Sequence, residues 1–152
     1  MSEKMINVLY VDDEERNLES FRASFRRLFN IFTASSAIEA EIVLSKNMIH
    51  VLITDQKMPV KTGTELLAEA FKKYPDQSRI LLTAYGDKAV LIDAINNGHI
   101  YMYVEKPWNN ETLENCIKGG YADYYERMQQ KQNLIKLVKQ NNKLKRTIRT
   151  KR

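Results

Sequence analysis

Asp12, Asp13, Asp55, Thr83 and Lys106 share one feature of position in this 152-residue sequence: each stands at the end of a short apolar run. Three carboxylates brought together repel one another, and their pKa values rise unless a cation neutralises them. Hard oxygen ligands of this kind suit Mg²⁺, which favours near-octahedral oxygen coordination and usually keeps some of its waters. A metal so held, with a lysine opposite, can clamp the oxygens of a transferring phosphoryl group while an aspartate oxygen attacks phosphorus in line. The nucleophile would then be a carboxylate, with Lys106 as the opposing ammonium and Thr83 as the nearby hydroxyl.

For these groups to meet, the elements carrying them must end at one edge. Residues 5–11 form a mostly apolar run that stops abruptly at four acids, as a buried parallel strand would. From Asn17, residues Leu18, Phe21, Phe25, Leu28 and Phe29 recur at helical spacing. A second strand is expected over 31–34, then a helix from Ser36 to Leu44 opened by the capping-box pattern Ser36 to Glu39. Strands over 50–54, 79–83 and 101–104 follow, separated by helices over 64–74 and 87–97, and a fifth helix begins near Asn110. Strands alternating with helices of this length call for an α/β fold, a doubly wound five-stranded parallel sheet covered on both faces. Its ligand site lies beyond the carboxyl ends of the strands, where the five residues stand.

Composition removes several other classes. One cysteine, Cys116, excludes an internal disulfide, and His50 and His99 lack the neighbours of a zinc site. The five glycines form no phosphate-binding nucleotide loop. There is no signal-peptide pattern, and no apolar run reaches the ~18 residues of a membrane span, so a soluble cytoplasmic protein is expected. Residues 1–118 hold 14 Lys and Arg against 17 Asp and Glu, whereas residues 119–152 hold 10 against 2. The net charge of +5 therefore divides into −3 and +8.

The same residues, with their neighbours, resemble the response-regulator receiver domain of two-component signalling. Asp12-Asp13, Asp55, Thr83-Ala84 and Lys106-Pro107 agree with its motifs in order and spacing, and so do Met58-Pro59 and Gly63. The resemblance covers residues 4 to 120 and implies a flavodoxin-like (βα)5 domain, a self-phosphorylating switch rather than a turnover enzyme. Its phosphoryl donor would be a sensor histidine kinase or phosphotransfer protein. Carried over by position, Asp55 is the phosphoacceptor; Asp13 and Asp55 ligate Mg²⁺, Asp12 acts through a water, and Lys57 offers its backbone carbonyl. Lys106 pairs with the phosphoryl oxygens, Thr83 turns its hydroxyl toward them, and Tyr103 is the switching aromatic, with Tyr101 as its rival. The Lys106-Pro107 bond is expected to be cis. The extra residue between Gly98 and Lys106, with Trp108, is similar to receivers of multidomain regulators such as HD-GYP-linked ones. The long side chains of Lys57 and Tyr85 suggest a slowly hydrolysed phosphoryl state.

The division expected is a receiver over 1–120 and a helical extension over 121–152. Leu134, Leu137, Asn141, Leu144 and Ile148 are spaced 3, 4, 3 and 4 apart, a short heptad seam with Asn141 at an a position. A parallel coiled-coil homodimer is one expectation and a lone amphipathic helix another, with Gly119-Gly120 as a hinge. The face of helix four, strand five and helix five is a further candidate interface. The alternative function is a basic tail that binds nucleic acid, although its charges share a helix with the seam instead of forming a block ahead of it.

Overall fold

The computed structural model describes residues 6–84 and 86–150. Five parallel strands lie in the order β2-β1-β3-β4-β5: β1 Asn7–Val11, β2 Asn30–Ala34, β3 Val51–Asp55, β4 Ser78–Thr83 and β5 Met102–Glu105. The helices between and after them are α1 Glu15–Phe25, α2 Ala37–Lys46, α3 Gly63–Lys73, α4 Lys88–Gly98 and α5 Asn110–Thr150. Alternate residues of each strand face opposite layers, as a period of two requires. Val8, Tyr10, Ile53 and Leu82 pack with α1 and α5 through Phe21, Phe25, Leu113 and Ile117. Leu9, Val11, Leu52 and Leu81 pack with α2, α3 and α4 through Ala40, Leu66, Leu67 and Ala94.

Several local expectations change in the structure. α1 ends at Phe25, and Phe29 is buried from the turn that follows. Ser36 caps α2 by accepting from the Glu39 amide at 3.1 Å, yet the Glu39 carboxylate takes the Ser35 hydroxyl at 2.6 Å, so that capping box is only half formed. The complete box opens α3, where Thr62 and Glu65 bond reciprocally. His50 precedes β3, and its Nδ1 accepts from the Asn7 amide at 2.9 Å. Cys116 is buried on α5, where desolvation pushes its thiol up to about 11.

Gly119 and Gly120 form no hinge, because α5 runs through them as one 41-residue helix. A Cβ on Gly119 would lie 2.5 Å from the Tyr101 Oη, and one on Gly120 3.4 Å from the Ser78 Cβ. Gly119 is the one that lets the helix lie close against Tyr101. Ser78 Oγ then donates to the Gly120 carbonyl at 2.5 Å. Two turns further on, Arg127 donates to the Asp76 carbonyl and pairs with Asp123, and Lys131 reaches Asp76 at 3.1 Å. Beyond Lys131 the helix leaves the domain, and Leu134, Leu137, Leu144 and Ile148 are 52–62% exposed.

Candidate functional site

β1 and β3 end at the same edge because they pair in register, Val11 beside Thr54. This brings one carboxylate oxygen from each of Asp12, Asp13 and Asp55 within 4.8 Å of the other two. Asp12 is fully buried and held from three sides. Its Oδ2 accepts from the Tyr10 hydroxyl at 2.7 Å and Asn17 Nδ2 at 3.0 Å, and its Oδ1 accepts from the Glu14 amide at 2.9 Å. Burial, and next its bond to Asp12, push the Tyr10 hydroxyl well above its ordinary pKa, so it stays a donor. Asp13 is exposed and has no hydrogen-bond partner among the described residues.

Asp55 stands differently. Its Oδ1 accepts from Lys106 Nζ at 2.7 Å and from the Gln56 amide at 2.9 Å, while Oδ2 has no partner among the described residues. Burial raises its pKa from the ordinary carboxylate value, Lys106 opposes that rise, and Asp12 adds to it. Lys106 is aimed by the sheet, since its amide donates to the Thr83 carbonyl at 2.9 Å beyond the end of the β4–β5 pairing. The Lys106-Pro107 bond is cis, as expected. Asp13, Asp55, Lys57, Thr83 and Lys106 line one cavity of about 240 Å³.

The donor set fits a hard divalent cation, for three carboxylates converge, Lys106 pairs with Asp55, and Asp13 has no ion-pair partner among the described residues. Lys57 lines the same cavity as Asp13 and Asp55, and a carboxylate oxygen of Asp12 lies within 4.8 Å of theirs. Tyr103 and Thr83 line an adjoining space of about 310 Å³. Tyr103 is 40% exposed at its rim, whereas Tyr101 packs against α5 at Gly119. Tyr85 lies outside the described residues.

The groups that hold these residues are only weakly signalled in the sequence. Tyr10 and Asn17 fix Asp12, and only the alternation along β1 and a helical offset into α1 could have hinted at them. Gln56 ties the acceptor to α3: its carbonyl accepts from the Gly63 amide at 3.0 Å, and its side-chain oxygen from the Thr64 amide at 2.9 Å. Nothing in its residue type announces that role. Asp87, at the start of α4, lines both cavities.

A doubly wound parallel sheet with an acid cluster facing a lysine across its strand ends defines a phosphoryl-accepting class of α/β domain. The chain belongs to the response regulator receiver domain family, whose model matches residues 8–118. It is 36% identical over 118 residues to the hydrogenase transcriptional regulatory protein HoxA of Cupriavidus necator, covering 78% of this chain and 24% of that protein. The chain thus spans about a quarter of that relative's length. It is 34% identical to a chemotaxis protein CheY homolog of Campylobacter jejuni, covering 74% of this chain and 90% of that protein. The signal receiver domain of an HD domain-containing protein from Pseudomonas fluorescens superposes with a TM-score of 0.79 at 27% identity, covering 83% of this chain and 93% of that one. No helix among the described residues is long and apolar enough to cross a membrane.

Proposed function

We propose that the chain is a cytoplasmic switch that takes a phosphoryl group onto Asp55 from a phosphohistidine of a sensor kinase or phosphotransfer protein. The observation that carries this reading is the division of labour at Asp55, with Oδ1 tied by Lys106 and the Gln56 amide and Oδ2 unpartnered beside Thr83 in the cavity. In the proposed step Oδ2 attacks phosphorus, the bond from phosphorus to the imidazole nitrogen breaks, and its electron pair remains on the imidazole. Lys106 keeps its charge and follows the phosphoryl oxygens, and the Thr83 hydroxyl, now only 3.5 Å from the Ala84 carbonyl, can turn to them. Asp12, Asp13, Asp55 and the Lys57 carbonyl would hold Mg²⁺, which supplies positive charge against the incoming phosphoryl oxygens. The space between Thr83 and Tyr103 is where the ring would move as the hydroxyl turns.

The proposed output is pairing through α5. With Leu134, Asn141 and Ile148 at a and Leu137 and Leu144 at d, one flank carries Lys131, Val138 and Lys145 and the other Asn133, Gln140 and Thr147. In a parallel homodimer each flank meets the opposite flank of its partner, so lysines face amides or a hydroxyl; an antiparallel pair would set lysine against lysine. Intact mass and light scattering with Mg²⁺ and acetyl phosphate test both parts. One phosphoryl group should add to the wild type and none to Asp55→Ala, with a monomer-to-dimer shift in the former only. No mass gain would overturn the acceptor assignment, and a gain without a size change would overturn the output.

A further inference from the structure

The half of α5 that leaves the domain is charged unlike the half that is docked. On the docked half acids precede cations by four residues: Glu114 pairs with Lys118 at 2.8 Å, and Asp123 with Arg127. Residues 127–152 then hold ten Lys and Arg and no Asp or Glu. Arg127 and Lys131 are engaged at the turn holding Asp76. The next six, Lys136, Lys139, Lys143, Lys145, Arg146 and Arg149, are exposed, and among the described residues none has an ion-pair partner. Acids four residues ahead of lysines stabilise a solvated helix, whereas cations three or four apart weaken it. Lys136 with Lys139, Lys139 with Lys143 and Lys143 with Arg146 are such repelling pairs, so solvation alone does not call for this pattern. The helix dipole favours cations only in the last turn, where Arg149 alone stands in the described helix.

Lys136, Lys139, Lys143 and Arg146 follow one another at 3, 4 and 3 residues. They form one row ~15 Å long at the helical rise of ~1.5 Å per residue. With Leu134, Asn141 and Ile148 at a, the row occupies c and f, the side turned away from the seam, so pairing leaves it free. The same placement selects among polyanions. With the seam inserted in a bilayer the row would face water, and with the row on the headgroups the seam would, so one helix cannot use both. An acidic protein offers carboxylates singly, and exposed ion pairs contribute little each. A single strand is held by stacking its bases on aromatic rings, and no aromatic residue follows Tyr125. A duplex carries one charge per ~1.7 Å of its axis, and a row of cations along it releases several counterions together. We propose that this row docks on the phosphate backbone of double-stranded DNA. Side chains on one flank of a continuous helix reach phosphates, which position a protein without specifying sequence. Residues 1–118, with 14 Lys and Arg against 17 Asp and Glu, gain nothing from those phosphates, which confines the contact to the extension. The surface shares no residue with the Asp55 cavity and rests neither on phosphoryl acceptance nor on pairing.

The test is fluorescence anisotropy of a labelled DNA duplex titrated with the unphosphorylated full chain at several salt concentrations. Four phosphate contacts give a slope of about −3.6 in log K against log salt, a loss of roughly fiftyfold between about 50 and 150 mM. A duplex of unrelated sequence should bind equally, and Asp55→Ala should bind as wild type does. Lys139→Gln with Lys143→Gln removes two contacts at exposed positions off the seam; it should halve the slope and leave the circular dichroism unchanged. A slope that the double variant does not alter would overturn the proposal. So would the absence of binding at ~50 mM salt with ~100 µM protein, which would leave the row to an acidic protein partner. Binding to phosphatidylserine vesicles that persists at a salt concentration where the DNA has dissociated would overturn it in favour of a membrane surface.

Discussion

Gly63 and Gly120 are both helical glycines, yet adding a methyl group should have opposite effects at the two. A Cβ on Gly63 would enter the envelope of the Asp55 carbonyl oxygen and stand 3.0 Å from both the Asp55 carbonyl carbon and the Gln56 Cα. All three are backbone atoms, so no side-chain rotation relieves the contact. Relief requires the first turn of α3 to move away, which stretches the bonds from the Gly63 and Thr64 amides to Gln56. Two hydrogen bonds at about 1 kcal/mol each, with overpacking at about 1–3 kcal/mol, put the cost at about 3 kcal/mol or more. At the first position of a helix, alanine recovers little of its usual advantage. A Cβ on Gly120 meets the Ser78 Cβ at 3.4 Å and the Tyr101 ring at 3.6 Å, ordinary contacts, while the helix interior gains up to about 1 kcal/mol. Urea unfolding of the two variants reads the difference directly, and the rate of labelling by acetyl phosphate reads displacement of the acceptor. Gly63→Ala should lose about 3 kcal/mol and label slowly, and Gly120→Ala should be neutral or more stable. A Gly63→Ala protein within about 0.5 kcal/mol of wild type, labelling at the wild-type rate, would refute the close-approach argument.

Other variants separate the remaining contributions. Burial holds the His50 pKa below 6.5, and protonation would destroy its acceptor for the Asn7 amide, so His50 adds stability above pH 6.5 that is lost as pH falls through its folded value. His50→Phe should flatten that part of a denaturation-against-pH curve, and an unchanged slope would dismiss the assignment. Asp55 has the opposite sign: its folded pKa is raised, so it costs stability above the ordinary carboxylate value of 3.8, and Asp55→Asn in EDTA should be more stable than wild type at pH 7 with the gain vanishing below pH 3.8. Arg79, buried and lowered to about 10 chiefly by desolvation, donates to the carbonyls of Tyr74, Gly98 and His99 at the ends of α3 and α4. Arg79→Met should cost about 3 kcal/mol by chemical denaturation, and a loss below 1 kcal/mol would show those carbonyls to be solvated without it. In sedimentation, Leu137→Asp should abolish pairing of the phosphorylated chain and Asn141→Leu should tighten it; an effect of neither would remove the seam.

The sheet and its site were legible because an acid or lysine after an apolar run is a strong signal, and each such run proved to be a strand ending at the same edge. What sequence could not show were contacts decided by direction. Ser36 and Thr62 both precede a glutamate by three residues, yet only at Thr62 does the glutamate turn back, because Ser35 offers Glu39 a nearer hydroxyl. The glycine pair read as a hinge because its partners, Tyr101 and Ser78, lie 18 to 42 residues earlier and meet it only once β4 and β5 are paired. Tyr101 and Tyr103 could not be ranked by spacing alone; α5 takes the first, and the second is left beside Thr83.

The length of α5 bears on how a receiver of this design would signal. Four apolar seam side chains per chain, each already about half exposed, would return roughly 1 kcal/mol apiece on pairing, about 8 kcal/mol for a dimer. Association costs an estimated 4–15 kcal/mol, and half-pairing at micromolar concentration needs about 8 kcal/mol net, so the seam by itself leaves two chains separate. A marginal seam is sensitive where a long one would be permanently closed. Arg127 and Lys131 fix the root of the helix to the turn before β4, the strand whose far end carries Thr83. In the proposed mechanism a second contact between receivers must therefore add at least ~4 kcal/mol to bring the chains to half-pairing at micromolar concentration.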